Sequence, residues 1–264
     1  MKARRQLAGL RALVTGASSG VGRAVATELL TRGGHVLATA RRGDRLADLA
    51  ASLPPGSSAA RCISAAGDIT DPRFREHVVR VASERLGGLD LVVTAAGGGA
   101  IGALATMPAN TFRDVLDLDL LAPVELVQIA LPHLAAGRDP AIVLIGSILG
   151  YHPLPLHAAY CAAKAGVVAL AGSLRAELHP QGIDVLLASL GPTASEFWDT
   201  LLTGERPTWS GGRPMSAKTT AHAIADALER RRREVIPGWR AKAFVWAARH
   251  AGWIIDAAIP RRAD

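Results

Sequence analysis

Short apolar runs recur along this chain near residues 10–15, 35–40, 59–65, 89–94, 141–147 and 184–190, with a brief one near 234–236, and amphipathic stretches fill the intervals. Runs of that length suit strands, and the helical periodicity between them suits crossovers. Alternation of strand and helix means parallel pairing, right-handed connections and helices on both sides of the sheet. The expected fold is α/β, a doubly wound parallel sheet. Ligands of such sheets bind beyond the carboxyl ends of the strands, where Gly16, Gly97 and Ser147 fall.

The pattern changes after the last short run. From Trp239 to Ile259 a single helical projection sets Lys242, Arg249 and Asp256 on one narrow stripe and spreads Phe244, Val245, Trp246, Trp253, Ile254, Ile255 and Ile259 around most of the rest. Such a helix has too much apolar surface for water, and its charges and Gly252 make it too polar to span a bilayer. It is expected to dock on the body, on a second subunit or on a membrane surface.

A chain of 264 residues, 49% of them hydrophobic, can bury one large core or two small ones. No proline- or serine-rich linker and no repeat divides it, and Pro54-Pro55-Gly56-Ser57-Ser58 reads as a short turn. Residues 1–237 are therefore read as one domain and 238–264 as an amphipathic tail. Only Cys62 and Cys161 occur, and the eight histidines are scattered, so neither a disulfide framework nor a metal site is expected. The basic Met1–Arg5 start leads straight into the first strand without a separate leader-like apolar segment, so a cytoplasmic location is expected, with membrane association through the tail as the variant. The formal charge of +7 is carried mostly by arginine without any nucleic-acid motif. No nucleic-acid partner is expected; anionic phospholipid or cofactor phosphates fit the excess better.

Two motifs carry chemistry. Leu13-Val14-Thr15-Gly16-Ala17-Ser18-Ser19-Gly20-Val21-Gly22 runs from a strand through a glycine-rich turn into a helix, so that a pyrophosphate can lie on backbone N–H groups at the positive end of the helix dipole. Tyr160 and Lys164 stand one helical turn apart, with Ser147 thirteen residues before Tyr160 at the end of an apolar run. An ammonium so placed is expected to lower the phenol's pKa from its ordinary value of about 10 and let it exchange protons near neutrality.

Together these motifs resemble the short-chain dehydrogenase/reductase family over roughly residues 8–237: Thr-Gly-x-x-x-Gly-x-Gly near the start, then Ser and Tyr-x-x-x-Lys in the second half. The resemblance implies a Rossmann-like fold and hydride transfer between a nicotinamide and a carbonyl or carbinol carbon. Tyr160 would move the proton, Ser147 would hold the oxygen, and Lys164 would bind the nicotinamide ribose. It also implies cofactor contacts at Gly16, Ser18, Ser19, Gly20, Val21 and Gly22, at Asp68 and Ile69 after the third strand, and at Ala96 and Gly97 after the fourth. Gly191 and Ser195 after the sixth complete the set, the latter replacing a threonine that touches the nicotinamide amide. At the end of the second strand Ala40 stands where an acid would bind ribose hydroxyls, and Arg41 and Arg42 follow, which favours NADP(H) over NAD(H). Asp68 read alone would be a helix cap before Pro72.

Departures from the family pattern accompany these matches. Thr94-Ala95-Ala96-Gly97 replaces Asn-Asn-Ala-Gly, which removes side-chain bonds that normally brace this loop, and Asp119 stands at the catalytic asparagine. Its carbonyl could keep the family's water relay, while its carboxylate changes the charge around Lys164. An apolar 148–157 loop and the segment Glu196-Phe197-Trp198 through Trp209 to Met215 read as the walls and lid of a site for an apolar lipid-, steroid- or polyketide-like substrate. The expected function is an NADP(H)-dependent oxidoreductase; the alternative is a cofactor-binding regulator or scaffold that has lost its chemistry. Apolar surfaces over 108–136 and 157–178 suggest self-association, and the resemblance implies a homodimer or homotetramer built through those helices.

Overall fold

A computed structural model describes residues 3–53, 61–205 and 213–258. Strands form where apolar residues run together: β1 (Arg11–Thr15), β2 (His35–Ala40), β3 (Cys62–Ala66), β4 (Leu91–Thr94), β5 (Ala141–Ser147) and β6 (Asp184–Leu190), with β7 (Thr193–Ala194), β8 (Met215–Ser216) and β9 (Glu234–Val235) as short pieces. Seven of them make one sheet in the order β3-β2-β1-β4-β5-β6-β9, every pair parallel, and β7 and β8 form a separate two-stranded ribbon. The strand order reverses between β1 and β4, which opens a crevice at their carboxyl ends.

Side chains alternate across the sheet, and both faces are covered. From β1, Ala12 and Val14 join Val25, Leu29, Leu46, Leu49 and Ile224 of α1 (Gly20–Thr31), α2 (Gly43–Ala51) and α7 (Ala217–Glu229). Leu13 points the other way, into Val78, Leu126, Leu144 and Leu174, where α3 (Pro72–Leu86), α5 (Ala122–Ala135) and α6 (Ala158–Leu178) pack. The helix ends follow local chemistry. Asp71 caps α3 by accepting from the Arg73 N–H at 2.9 Å, Pro72 opens its first turn, and Gly87 closes it at φ +71°. The helix-capping alternative for Asp68 is thereby corrected: its carboxylate folds onto Thr70 instead, accepting from N–H at 2.9 Å and the hydroxyl at 2.8 Å.

Two features depart from the simple alternation. Between α4 (Ala109–Leu116) and α5 the chain winds one π-helical turn, Asp117–Leu121, which interrupts an otherwise continuous helix. The tail is not one helix as expected from its periodicity. It breaks at Ala251 (φ −151°, ψ 48°) into α8 (Trp239–His250) and α9 (Gly252–Ala258). The glycine after the break disfavours helix continuation, and the bend brings Asp256 to 3.0 Å from His152. The tail docks on the body through buried Ala241 and Val245, Arg249 bonded to Glu234 at 2.9 Å and its guanidinium 4.8 Å over the Tyr151 ring. The expected turn at 54–58, the first residues of the third run, Trp209 of the lid and Ile259 lie outside the described residues.

Candidate active site

The glycine-rich turn is a backbone cradle. Gly16 has φ +67°, and a Cβ there would stand 2.6 Å from the Ala95 carbonyl oxygen. A Cβ on Gly22 would meet the Gly16 carbonyl oxygen at 2.4 Å, so the first turn of α1 presses directly on the loop. Ser19, the N-cap, makes no side-chain cap bond, and the Gly20, Val21 and Gly22 N–H groups open the helix without intrahelical acceptors. Arg42 reaches back from the end of β2, its guanidinium donating to the Ser19 hydroxyl at 2.8 Å and the Ser18 hydroxyl at 3.2 Å. Arg41 is exposed on the same turn.

Beside this cradle, β4 hands the chain to a loop held from two sides. The buried Thr15 hydroxyl accepts the N–H groups of Ala95 and Ala96, both at 3.0 Å. Further along, Asp119 Oδ2 accepts the Gly98 N–H at 3.1 Å. The bracing expected to be lost with Thr94 and Ala95 is therefore supplied by other side chains, because Thr15 and Asp119 project into the same gap. The π turn carries Asp119 there. Its Oδ1 lies 2.8 Å from Lys164 Nζ in an ion pair off the hydrogen-bond direction, with Asp119 1% and Lys164 7% exposed. Gly97 fits against the pair, since a Cβ there would sit 2.7 Å from Oδ1.

Ser147, Tyr160 and Lys164 converge on the same end of the sheet. Ser147 closes β5 with its hydroxyl accepting the Leu149 N–H at 3.1 Å. Tyr160 and Lys164 lie on one face of α6, Nζ 5.6 Å from the phenol ring centroid and donating to the Ile145 carbonyl at 3.2 Å. A phenol, a hydroxyl and a buried ammonium next to a phosphate-accepting turn can move a proton to or from a substrate oxygen.

The short chain dehydrogenase family profile matches residues 11–206. This chain belongs to the short-chain dehydrogenase family. It is 28% identical over 217 residues to an uncharacterized oxidoreductase of Staphylococcus epidermidis, covering 82% of this chain and 90% of that one. A hydroxysteroid 11-beta-dehydrogenase 1-like protein of Macaca fascicularis is 35% identical over 182 residues, 69% of this chain and 62% of its own. A short-chain dehydrogenase from Streptomyces avermitilis has a similar structure, with TM-score 0.79 at 28% identity, covering 94% of this chain and 93% of the other. The family consists of oxidoreductases whose fold binds a nicotinamide cofactor, and the Gly16–Gly22 cradle, tight enough to exclude a Cβ, fits one.

The charges around Tyr160 in this short-chain dehydrogenase correct one expectation. Burial raises the phenol's pKa, Lys164 lowers it, Asp119 raises it again and a hydrogen bond from Ser147 lowers it; the balance lies above the usual phenol value, not below it. Lys164 is pushed down by burial, but attraction to Asp119 and Tyr160 outweighs this and holds it protonated. Burial raises the Asp119 carboxyl against the opposing pull of Lys164. The ammonium thus serves two partners, and its effect on the phenol is partly cancelled by the carboxylate.

The remaining sequence candidates border the crevice. Asp68 and the buried Ile69 follow β3, and Ala96 lies on the Thr15-braced loop. Gly191, after β6, abuts the tail, where a Cβ would stand 3.1 Å from that of Ala241. Ser195 presses on the cradle, its Cβ 2.9 Å from where a Gly20 Cβ would be. Thr15 and Arg45 were not among the sequence candidates, whereas Phe197 belongs to the expected lid. Arg45 and Arg42 grip the Glu196 carboxylate at 2.5 and 2.7 Å, and the Phe197 ring meets Tyr160 edge-on at 5.4 Å. Leu202 N–H bonds to the Gly99 carbonyl at 2.8 Å and Ile101 N–H to that of Thr203 at 2.9 Å, tying the lid to the loop after β4. The signal for Thr15 was its place before Gly16; Arg45 reads in sequence as an ordinary solvent-facing helix charge.

Proposed function

We propose that this short-chain dehydrogenase is an NADP(H)-dependent enzyme interconverting a carbonyl and a secondary alcohol on an apolar substrate. The observation that carries the reading is the convergence of Ser147, Tyr160 and Lys164 at the strand-order reversal, beside the Gly16–Gly22 turn. When bound, the nicotinamide would supply or accept the hydride. Tyr160 gives a proton to the nascent alkoxide in reduction and takes it in oxidation. Ser147 would hold the substrate oxygen by hydrogen bond, and Lys164 would bind the nicotinamide ribose while keeping positive charge near the phenol. Asp119 keeps Lys164 protonated and fixes Gly98.

The backbone of Gly16, Gly20, Val21 and Gly22 would hold the cofactor, together with Asp68, Ile69, Ala96, Gly97, Gly191 and Ser195. Preference for a 2′-phosphate is supported by Arg42 between the Ser18 and Ser19 hydroxyls, with Arg41 and Arg45 on the same turn and no acid at Ala40. An apolar substrate is supported by Phe197 against Tyr160 and by likeness to the hydroxysteroid 11-beta-dehydrogenase 1-like protein. Self-association through the 108–136 and 157–178 surfaces belongs to the same reading.

Asp119 favours a second reading, a cofactor-binding regulator or scaffold of the same family, because its carboxylate offsets the charge that activates the phenol. Oxidation of NADPH and NADH against a panel of apolar ketones and aldehydes separates the two. The enzyme reading expects turnover with NADPH well above that with NADH; tight nucleotide binding with no turnover across the panel would favour the regulator.

A further inference from the structure

The docked tail turns an apolar, basic-edged face away from the body. In α8, Ala241 and Val245 face inward at 6% and 1% exposed, while Trp239 and Trp246 are 73% and 62% exposed. Seven residues apart, the two indoles share the outer side of the helix. Beyond the break Trp253 and Ile254 are 73% and 47% exposed. Arg240 lies 5.4 Å over the Trp239 ring, and His250 stacks on Trp246 at 5.3 Å. Arg240 and Lys242 are exposed beside the indoles, while Arg249 turns to the body and pairs with Glu234 at 2.9 Å; Asp256 is the one acid of the described tail.

We propose that this face binds the surface of an anionic phospholipid bilayer, holding the protein peripherally. No helix among the described residues is long and apolar enough to cross a membrane. Indoles edged by arginine and lysine settle at headgroup depth, with rings among the acyl–glycerol boundary and cations on lipid phosphates. The formal charge of +7 draws the whole molecule to the same surface. A second copy is the poorer occupant, because two-fold pairing over this face would bring Arg240 and Lys242 against a face carrying the same cations.

The anchoring of the tail gives the contact a place. Arg249 and Asp256 hold Tyr151 and His152, in the loop between Ser147 and Tyr160, and Ala241 packs on Gly191. The bilayer-binding face is thus fixed to two segments that border the candidate active site. The proposal goes beyond the oxidoreductase reading and stands without it, because lipid binding requires no turnover.

The test is flotation of the full-length protein with phosphatidylcholine vesicles and with vesicles containing phosphatidylglycerol. The wild type is expected to float with the anionic vesicles, with a blue shift of tryptophan emission, and to be released by high salt. Replacing Trp239, Trp246 and Trp253 together by serine is expected to lower the bound fraction about tenfold or more, with thermal melting unchanged. If that variant misfolds, R240E with K242E decides, since reversing two flanking charges should also abolish flotation. Flotation unchanged in these variants, or absent in the wild type, overturns the proposal. A wild-type oligomer that dissociates in the tryptophan variant, with no vesicle binding by either, assigns the face to a second copy and overturns it too.

Discussion

At the scale of single residues, the site is governed by one buried ammonium shared between a phenol and a carboxylate. Asp119 raises the pKa of Tyr160, so its removal should lower it. In the proposed reaction, reduction needs the protonated phenol and would fail as pH rises through that pKa, whereas oxidation needs the phenolate and would appear over the same range. Asp119→Asn is therefore expected to move both limbs of the pH–rate profile to lower pH; an unmoved profile would separate Asp119 from the proton transfer. Glu196 makes a second test. Its carboxylate occupies Arg42 and Arg45, the groups assigned to the 2′-phosphate, and those bonds hold its own pKa down. Glu196→Gln should tighten NADPH several-fold, within the 0–1 kcal/mol typical of an exposed ion pair, and leave NADH unchanged, as read by fluorescence titration. Sequence displayed Tyr160, Lys164 and Ser147 because their spacing is local. The Asp119 to Lys164 contact joins residues far apart in the chain, so only the suspicion of a changed charge environment was legible, and the upward net shift of Tyr160 was not.

At the scale of elements, the strand-to-loop junctions at β1 and β4 determine where the cofactor cradle sits. Thr15 is the shared support, its buried hydroxyl accepting two backbone N–H groups. Thr15→Val keeps the shape and orphans both donors. It should cost about 1–3 kcal/mol in chemical denaturation and weaken nucleotide binding, while a change below measurement would show that the loop is held elsewhere. Every strand of the main sheet was legible from its apolar run, and in β1, β2, β4, β5 and β6 burial on both faces leaves little choice of residue. The π turn at Asp117–Leu121 was not, because Asp-Leu-Asp-Leu-Leu reads as ordinary helix and the extra residue shows only in the hydrogen-bond ladder. The bend at Ala251 escaped for a related reason: periodicity reports a preferred face, and a contact such as Asp256 with His152 can override it.

At the scale of the whole molecule, buried and half-buried ion pairs tie distant segments. Asp90 is raised by burial, but bonds from the Arg11 side chain and from the Arg138 and Arg11 N–H groups outweigh this and depress its pKa. Asp184 is likewise depressed, by Arg231 and Arg5 against the cost of burial. A depressed folded pKa contributes stability above the unfolded value of about 3.9 and loses it as pH falls through the folded one. Asp90→Ala should cost about 3–5 kcal/mol at pH 7 by denaturant unfolding, with the gap to wild type narrowing below pH 4; a gap independent of pH would contradict the account. The alternation of elements made the doubly wound architecture legible before any contact was known, yet the strand order and the lid's seat on Tyr160 depend on pairings that no local pattern encodes. The central claim concerns the phenol at the end of that architecture. It is tested most directly by measuring NADPH binding and carbonyl reduction for Tyr160→Phe: binding within about twofold of wild type with turnover lower by about 10²–10⁴ is expected, and normal turnover in that variant would contradict it.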